Sequence, residues 1–170
     1  MTNTNYTTFD NAEQNNAKES KTMETKQEQI DRKNFETCKR IGDEVEKIAA
    51  GSVYACPECG ERIDTDGLEM DDDGYVICPE CGKRIDLDNA EQYGLYDYFS
   101  DALDIEYRIG SDKQYRSACI MVACGGPNIY VDTGSKRVEL YWWSDRASYR
   151  LASDSVDAID EVFEEYYDCM

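Results

Sequence analysis

The sequence predicts an α+β protein, built from an N-terminal amphipathic helix, a cysteine-rich module, a small antiparallel sheet and a C-terminal helix. Three observations support this class. Apolar residues recur at helical spacing near both ends of the chain, strand-like segments lie between them, and paired cysteines separate the first helix from those segments. Strands followed by a covering helix are typical of an α+β domain.

The first helix is predicted over residues 23–51. Its apolar positions from Cys38 to Ile48 recur at spacings of three, four and seven, as they do on one face of a helix, and Gly51 supplies a stop. Residues 1–22 are rich in Asn, Thr, Glu and Gln and have few apolar side chains, so they are predicted to be a disordered tail.

The module at residues 52–88 holds four cysteines with the spacing C-x2-C-x18-C-x2-C, which is typical of a metal site. Each pair lies in a Cys-Pro-Glu-Cys-Gly unit, where a tight turn brings two thiolates to one ion and the glycine removes side-chain bulk. Four thiolates complete a closed tetrahedral site with no open position, so structural Zn²⁺ is the expected cofactor. The predicted ligands are Cys56, Cys59, Cys78 and Cys81.

This module resembles a zinc ribbon over residues 53–86, with "SVYACPECGERI" and "GYVICPECGKRI" as the knuckle-bearing arms and "DTDGLEMDDD" as the connecting loop. Rubredoxin-like iron, two disulfides or redox dithiols are the alternatives that the spacing leaves open. The other four cysteines are expected to be buried or incidental thiols. They are Cys38, Cys119, Cys124 and Cys169.

Charge and composition narrow the class of partner. The net charge of −19, from 37 acidic and 18 basic residues, opposes binding to nucleic acid or anionic lipid and favours a basic protein partner. The chain has no histidine, the commonest general base, so we expect no enzymatic activity. No apolar run reaches membrane-spanning length and no signal-peptide pattern begins the chain, so the expected location is cytoplasmic.

Two acidic sets are candidate partner-binding surfaces. The loop of the module is not an EF-hand, because position 12 counted from Asp64 is Tyr75. On the last helix, six acids follow helical spacing on the face opposite an apolar stripe, at about one charge per 3 Å, close to the phosphate repeat of one DNA strand. An ordinary solvated loop or helix face also explains each set. The sets are Asp64, Asp66, Glu69, Asp71, Asp72 and Asp73 in the loop, and Asp157, Asp160, Glu161, Glu164, Glu165 and Asp168 on the helix.

The segment 89–170 is predicted to be an α+β domain. An aromatic-rich helical segment, "EQYGLYDYFSDAL", precedes three predicted strands: "IEYRI" extending towards "QYRSACIMVAC", then "NIYVDT" and "RVELYWW". Alternation in the last strand places Tyr141 and Trp143 on the side away from Val138 and Leu140. These two aromatic side chains form a candidate contact patch, unless the first helix covers them.

The block "GGPNIYVDTGSKRVELYWW" at residues 125–143, together with the polar N-terminal tail and the two "CPECG" units, resembles proteins of phages and mobile elements of Gram-positive bacteria. Among these it is similar to zinc-containing anti-CRISPR proteins directed at type II effector nucleases. The resemblance implies a non-enzymatic inhibitor in the host cytoplasm, which binds the effector and blocks DNA loading or cleavage. The basic channel of such nucleases fits this implication, and the spacing of the helix acids indicates a DNA mimic.

Three other functions are compatible with the sequence. A zinc-ribbon adaptor in transcription or replication would bind a host protein without imitating DNA. A module that binds nucleic acid directly is opposed by the net charge. An enzyme would need a pair of carboxylates in a pocket, and the sequence places no such pair.

Overall fold

A computed structural model describes residues 24–170 of the chain, and the predicted tail at residues 1–22 lies outside the described residues. The described chain is α+β, as predicted, with helices near both of its ends and small antiparallel sheets between them. The elements are α1 (Lys26–Ala49), β1 (Val53–Ala55), β2 (Arg62–Asp64), β3 (Tyr75–Ile77), β4 (Arg84–Asp86), α2 (Leu95–Phe99), β5 (Asp104–Ile109), β6 (Tyr115–Ala123), β7 (Asn128–Asp132), β8 (Arg137–Trp142), β9 (Asp145–Arg150) and α3 (Ser153–Asp168).

Helix α1 begins where its capping residue dictates. Thr25 and Glu28 form a capping box, in which each side chain accepts a hydrogen bond from the other residue's backbone N–H. The helix therefore starts at Lys26, slightly later than predicted, and the chain leaves it through Gly51 at φ 76°. The predicted apolar stripe is buried, including Cys38 and Val45.

The main sheet has five antiparallel strands in the order β5-β6-β7-β8-β9. The sequence predicted three. The segment from "IEYRI" to "QYRSACIMVAC" is a hairpin, because the chain reverses between Gly110 and Lys113, which has φ 64°. Strand β9 was missed because "DRASYR" is mostly polar and contributes only two apolar side chains, Ala147 and Tyr149, to the helix-covered side.

Helices α1 and α3 pack on the same face of this sheet, with α1 over β8 and β9 and α3 over β6. The core between the layers is mostly apolar, with Ser155 of α3 as a buried polar exception. The ring of Phe163 on α3 lies 5.3 Å from that of Phe99 and 6.4 Å from that of Tyr107. No described helix covers the other face of the sheet. The strand residues that point into the core include Ala118, Ile120, Ile129, Val131, Val138 and Leu140.

Helix α2 is shorter than the predicted helical segment. Gly94 serves as its N-cap, and the carboxylate of Asp97 accepts the Gly94 N–H, so the helix begins after the glycine and ends at Phe99. Among the helices of residues 24–170, none combines the length and apolar character needed to cross a membrane.

The hairpin β1–β2 is attached to the main domain. Val53 belongs to the main core, and its carbonyl accepts the backbone N–H of Tyr93. Two ion pairs join this hairpin to α1: Lys47 binds Asp64, and Arg62 binds Glu44 at 2.6 Å. These contacts place the cysteine-rich module beside the C-terminal half of α1.

Candidate metal centre and binding surfaces

The two Cys-Pro-Glu-Cys-Gly units form equivalent turns, one between β1 and β2 and the other between β3 and β4. In each turn the glycine N–H donates to the carbonyl of the first cysteine, Gly60 to Cys56 at 2.8 Å and Gly82 to Cys78 at 2.9 Å. Both glycines have positive φ, and the space where a Cβ would stand is open. The expected reason for these glycines was therefore wrong, since the backbone conformation requires them and crowding does not.

The turns bring four thiol groups to one point. The Sγ atoms of the four predicted ligands all lie within 4.8 Å of one another. The distance from Cys56 to Cys81 is 3.7 Å and that from Cys59 to Cys78 is 3.8 Å. A tetrahedral Zn²⁺ with bonds of about 2.3 Å holds its sulfur ligands about 3.8 Å apart. The four cysteines can thus bind a metal ion, and their spacing fits the size of zinc.

Protonation of these thiols depends on their neighbours. The pKa of Cys59 is raised to about 12: the N–H of Glu61 favours its thiolate, but hydrogen bonds with the Cys56 thiol and burial outweigh that effect. Burial opposes ionisation of Cys56, but backbone N–H groups and neighbouring thiols stabilise its thiolate and together lower its pKa to about 7. Four thiolates so close together need a cation to balance their charge.

Beneath the thiols lies a small apolar core that is separate from the main one. It contains Ile63, Val76 and Ile85, one each from β2, β3 and β4, together with Cys56 and Cys78. Cys56 is 2% exposed and Cys78 is 1% exposed. A site with two ligands buried this deeply, and with four cysteine sulfur atoms to complete a tetrahedral shell, is suited to a structural metal.

The remaining cysteines do not join this centre. Cys38 is buried under α1, and Cys119 is partly buried on the uncovered face of the sheet. Cys124 and Cys169 are exposed, and none of the eight cysteines forms a disulfide.

The acidic loop is partly neutralised by basic neighbours that sequence reasoning did not connect with it. Arg84 on β4 binds Asp71 and Asp73, each at 2.7 Å, and Lys47 on α1 binds Asp64. Arg84 and the N–H of Tyr75 hold the pKa of Asp71 below its ordinary value. Of the six predicted loop residues, only Asp66, Glu69 and Asp72 have no ion-pair partner among the described residues.

The acids of α3 lie on one face, as the helical spacing indicated. Asp160 is half-buried and accepts the hydroxyl of Tyr115 at 2.5 Å. Glu165 is exposed and accepts the hydroxyl of Tyr96, whose pKa that bond raises to about 12. The other four are exposed and have no ion-pair or hydrogen-bonding side-chain partner within residues 24–170. We call them the α3 acidic face: Asp157, Glu161, Glu164 and Asp168.

The two aromatic residues predicted to form a contact patch, Tyr141 and Trp143, lie in different environments. Strand β8 ends at Trp142, so Trp143 lies in the turn to β9 with φ 54° and is 93% exposed. The prediction that Trp143 continues the strand was wrong, because the hairpin turns one residue earlier. Tyr141 does lie on the uncovered face, where its ring stands 6.0 Å from that of Tyr130. No part of α1 covers Tyr141.

No protein-family model, curated protein or solved structure matches this chain.

Proposed function

We propose that this protein is a non-enzymatic, acidic zinc-binding inhibitor. It binds a basic nucleic-acid-binding protein of host defence, a type II CRISPR effector nuclease, and blocks DNA loading or cleavage. The α3 acidic face is the observation that carries the proposal. Its four carboxylates are exposed and unpaired by described residues, and they extend over about 16 Å of helix, from residue 157 to residue 168.

In this proposal the module at residues 53–86 is a zinc ribbon whose Zn²⁺ stabilises the fold. Two observations support it: the sulfur distances of 3.7 and 3.8 Å match a tetrahedral zinc site, and each knuckle has the same turn. Elemental analysis of protein purified without chelators should find one zinc per chain. Iron, or no metal, in such a preparation would contradict the zinc assignment.

The α3 acidic face is better suited to a basic groove than the loop is. The loop has basic partners of its own, so a protein that binds there must displace Lys47 or Arg84 or share their charge. On α3 the carboxylates keep their charge available for the lysines and arginines of a partner. Such complementarity steers association and competes with DNA for the same groove.

The test is a gel shift of target DNA by a purified, guide-loaded type II effector, with and without an excess of this protein. We expect the protein to abolish the DNA complex, and added salt to weaken its effect. The double variant Glu161→Lys, Glu164→Lys should inhibit about tenfold less strongly, since two charges change sign at the contact.

The matched control is Asp88→Lys, Asp101→Lys, which changes the net charge equally at exposed sites outside α3. It should inhibit like the parent. Equal inhibition by both double variants would rule out the α3 acidic face as the contact. If neither the shift nor cleavage in the same tubes responds to the parent protein, the effector is not its target, and pull-down from host lysate then tests the adaptor alternative.

A further inference from the structure

Strand β9 is an open edge of the main sheet. The N–H of Leu151 donates to the carbonyl of Lys136, which continues the register that pairs Tyr149 with Val138. Because paired residues of antiparallel strands alternate between bonded and non-bonded positions, the odd-numbered residues of β9 bond to β8. Arg146, Ser148 and Arg150 therefore direct their backbone N–H and C=O groups away from the sheet, and no other described residue bonds to them.

The uncovered face beside this edge carries an unusual cluster of positive charge. Arg137 of β8 stands directly opposite Arg150 and donates to the hydroxyl of Ser148 at 2.8 Å. Arg146 lies two residues from Ser148 on the other side, with its guanidinium 5.6 Å from the ring centre of Tyr141. Three arginines thus surround Ser148. Glu139 of β8 stands opposite Ser148, but its carboxylate accepts from the hydroxyls of Ser135 and Tyr141 and not from these arginines.

None of these three arginines forms an ion pair with a described residue, although the chain has 37 acidic residues. Like charges directly opposite each other destabilise a sheet. A charged residue on an edge strand discourages aggregation, but one charge of either sign does that. The Arg137–Arg150 pair adds a cost that edge protection does not require, and a bound carboxylate would remove it.

An apolar contact is available on the other side of the edge. Phe35 of α1 is 46% exposed, and its ring lies 6.3 Å from that of Tyr149, which points from β9 toward the helix. An additional strand beside β9 would place alternate side chains over the arginines and over Phe35, because successive side chains of a strand point to opposite faces.

We propose that β9 is the docking edge for an extended acidic peptide of a partner protein, which adds as a sixth, antiparallel strand. Two carboxylates four residues apart stand opposite Arg150 and Arg146, and an apolar side chain next to the first carboxylate stands opposite Tyr149 and contacts Phe35. Backbone hydrogen bonds to the three outward residues supply affinity, and the alternate side chains supply specificity.

This surface is distinct from the α3 acidic face, since α3 packs over β6 while β9 lies at the far edge of the sheet under α1. The β9 edge binds an acidic partner, whereas the α3 acidic face binds a basic one. Docking at β9 can therefore hold true whether or not the proposed inhibition does.

The experiment measures the fluorescence anisotropy of a labelled peptide, Gly-Ser-Glu-Leu-Thr-Val-Glu-Ser-Gly, titrated with the full chain at low salt. We expect saturable binding, and binding about fivefold to twentyfold weaker for the peptide with Gln in place of both Glu, which removes the same two charge pairs. The variant Arg146→Gln, Arg150→Gln should lose about fivefold to twentyfold in affinity, because each exposed charge pair contributes a factor of about two to five. Its matched control, Lys113→Gln, Arg116→Gln, removes equal charge near the β5–β6 turn and should bind like the parent.

A second pair of variants tests strand addition itself. Ser148→Pro removes a backbone donor that faces the open edge, where proline is tolerated, and should abolish binding while the circular dichroism spectrum stays unchanged. Ser148→Ala keeps that donor and should retain binding. Absence of peptide binding, equal binding of the Gln peptide, or unchanged affinity in the arginine variant would each overturn the proposal. Displacement of the peptide by a lower concentration of oligo-dT would assign the arginines to nucleic acid instead.

Discussion

Loss of one knuckle ligand, through Cys78→Ser, is expected to unfold the cysteine-rich module while the five-stranded sheet stays folded. The module spans residues 53–86, and its own core holds three buried aliphatic side chains beside two cysteines, with the partly buried Leu87 and Ala90 packed against them. Units shorter than about 40 residues usually need a metal or disulfides to fold. The core over β5–β9 is a separate cluster that includes none of the four ligands.

The size of the effect follows from the chemistry of the site. Structural zinc contributes about 10–16 kcal/mol of apparent binding free energy near neutral pH, comparable with the stability of a whole domain. With so small a core beneath the thiols, the module should lose more than about 4 kcal/mol of local stability. That loss corresponds to at least a thousandfold fall in amide protection.

Hydrogen exchange followed by mass spectrometry measures this directly. Amides of Ile63, Val76 and Ile85 should become unprotected in the variant, while those of Val131 and Ile159 keep their parent protection. Cys124→Ser removes an exposed thiol outside the centre and should leave both regions unchanged. If the module stays protected after elemental analysis shows that the metal is gone, the metal is not what stabilises it.

Two further predictions concern the main domain. Asp132→Asn should lower the free energy of unfolding by about 2 kcal/mol in urea titrations, because the buried carboxylate accepts bonds from Arg108 at 2.6 and 2.7 Å. Burial opposes ionisation of Asp132, but Arg108 holds its pKa below the ordinary 3.8. The stabilisation that Asp132 provides is thus full above about pH 4 and is lost as pH falls through the folded pKa. The free energy of unfolding of the variant should therefore fall less steeply with acid than that of the parent. Parallel pH profiles of the two proteins would contradict this. Gly126→Ala should lower the free energy of unfolding by about 1–3 kcal/mol and alter tryptophan fluorescence, because a Cβ there would lie 2.4 Å from the Trp142 ring. The control Gly125→Ala, also at positive φ but in open space, should leave the fluorescence unchanged.

Local features of this chain were readable from the sequence because they depend on neighbouring residues. The spacing of Cys56, Cys59, Cys78 and Cys81 predicted a four-thiol cluster, and the structure brings these sulfur atoms together. The stripes of α1 and the acidic side of α3 follow from a period of 3.6 residues. Capping by Thr25 set the start of α1 within a few residues of the prediction.

Strand pairing and charge neutralisation depended on contacts between distant parts of the chain, and only the tertiary structure decided them. Arg84 neutralises Asp71 across 13 positions, and Lys47 reaches Asp64 from another element, so part of the charge of the loop is balanced within the protein. The polar segment of β9 gave no strand signal, because its place in the sheet depends on pairing with β8 and on cover by α1. The register between those strands sets Arg137 opposite Arg150, and periodicity along one segment carries no information about such a pair.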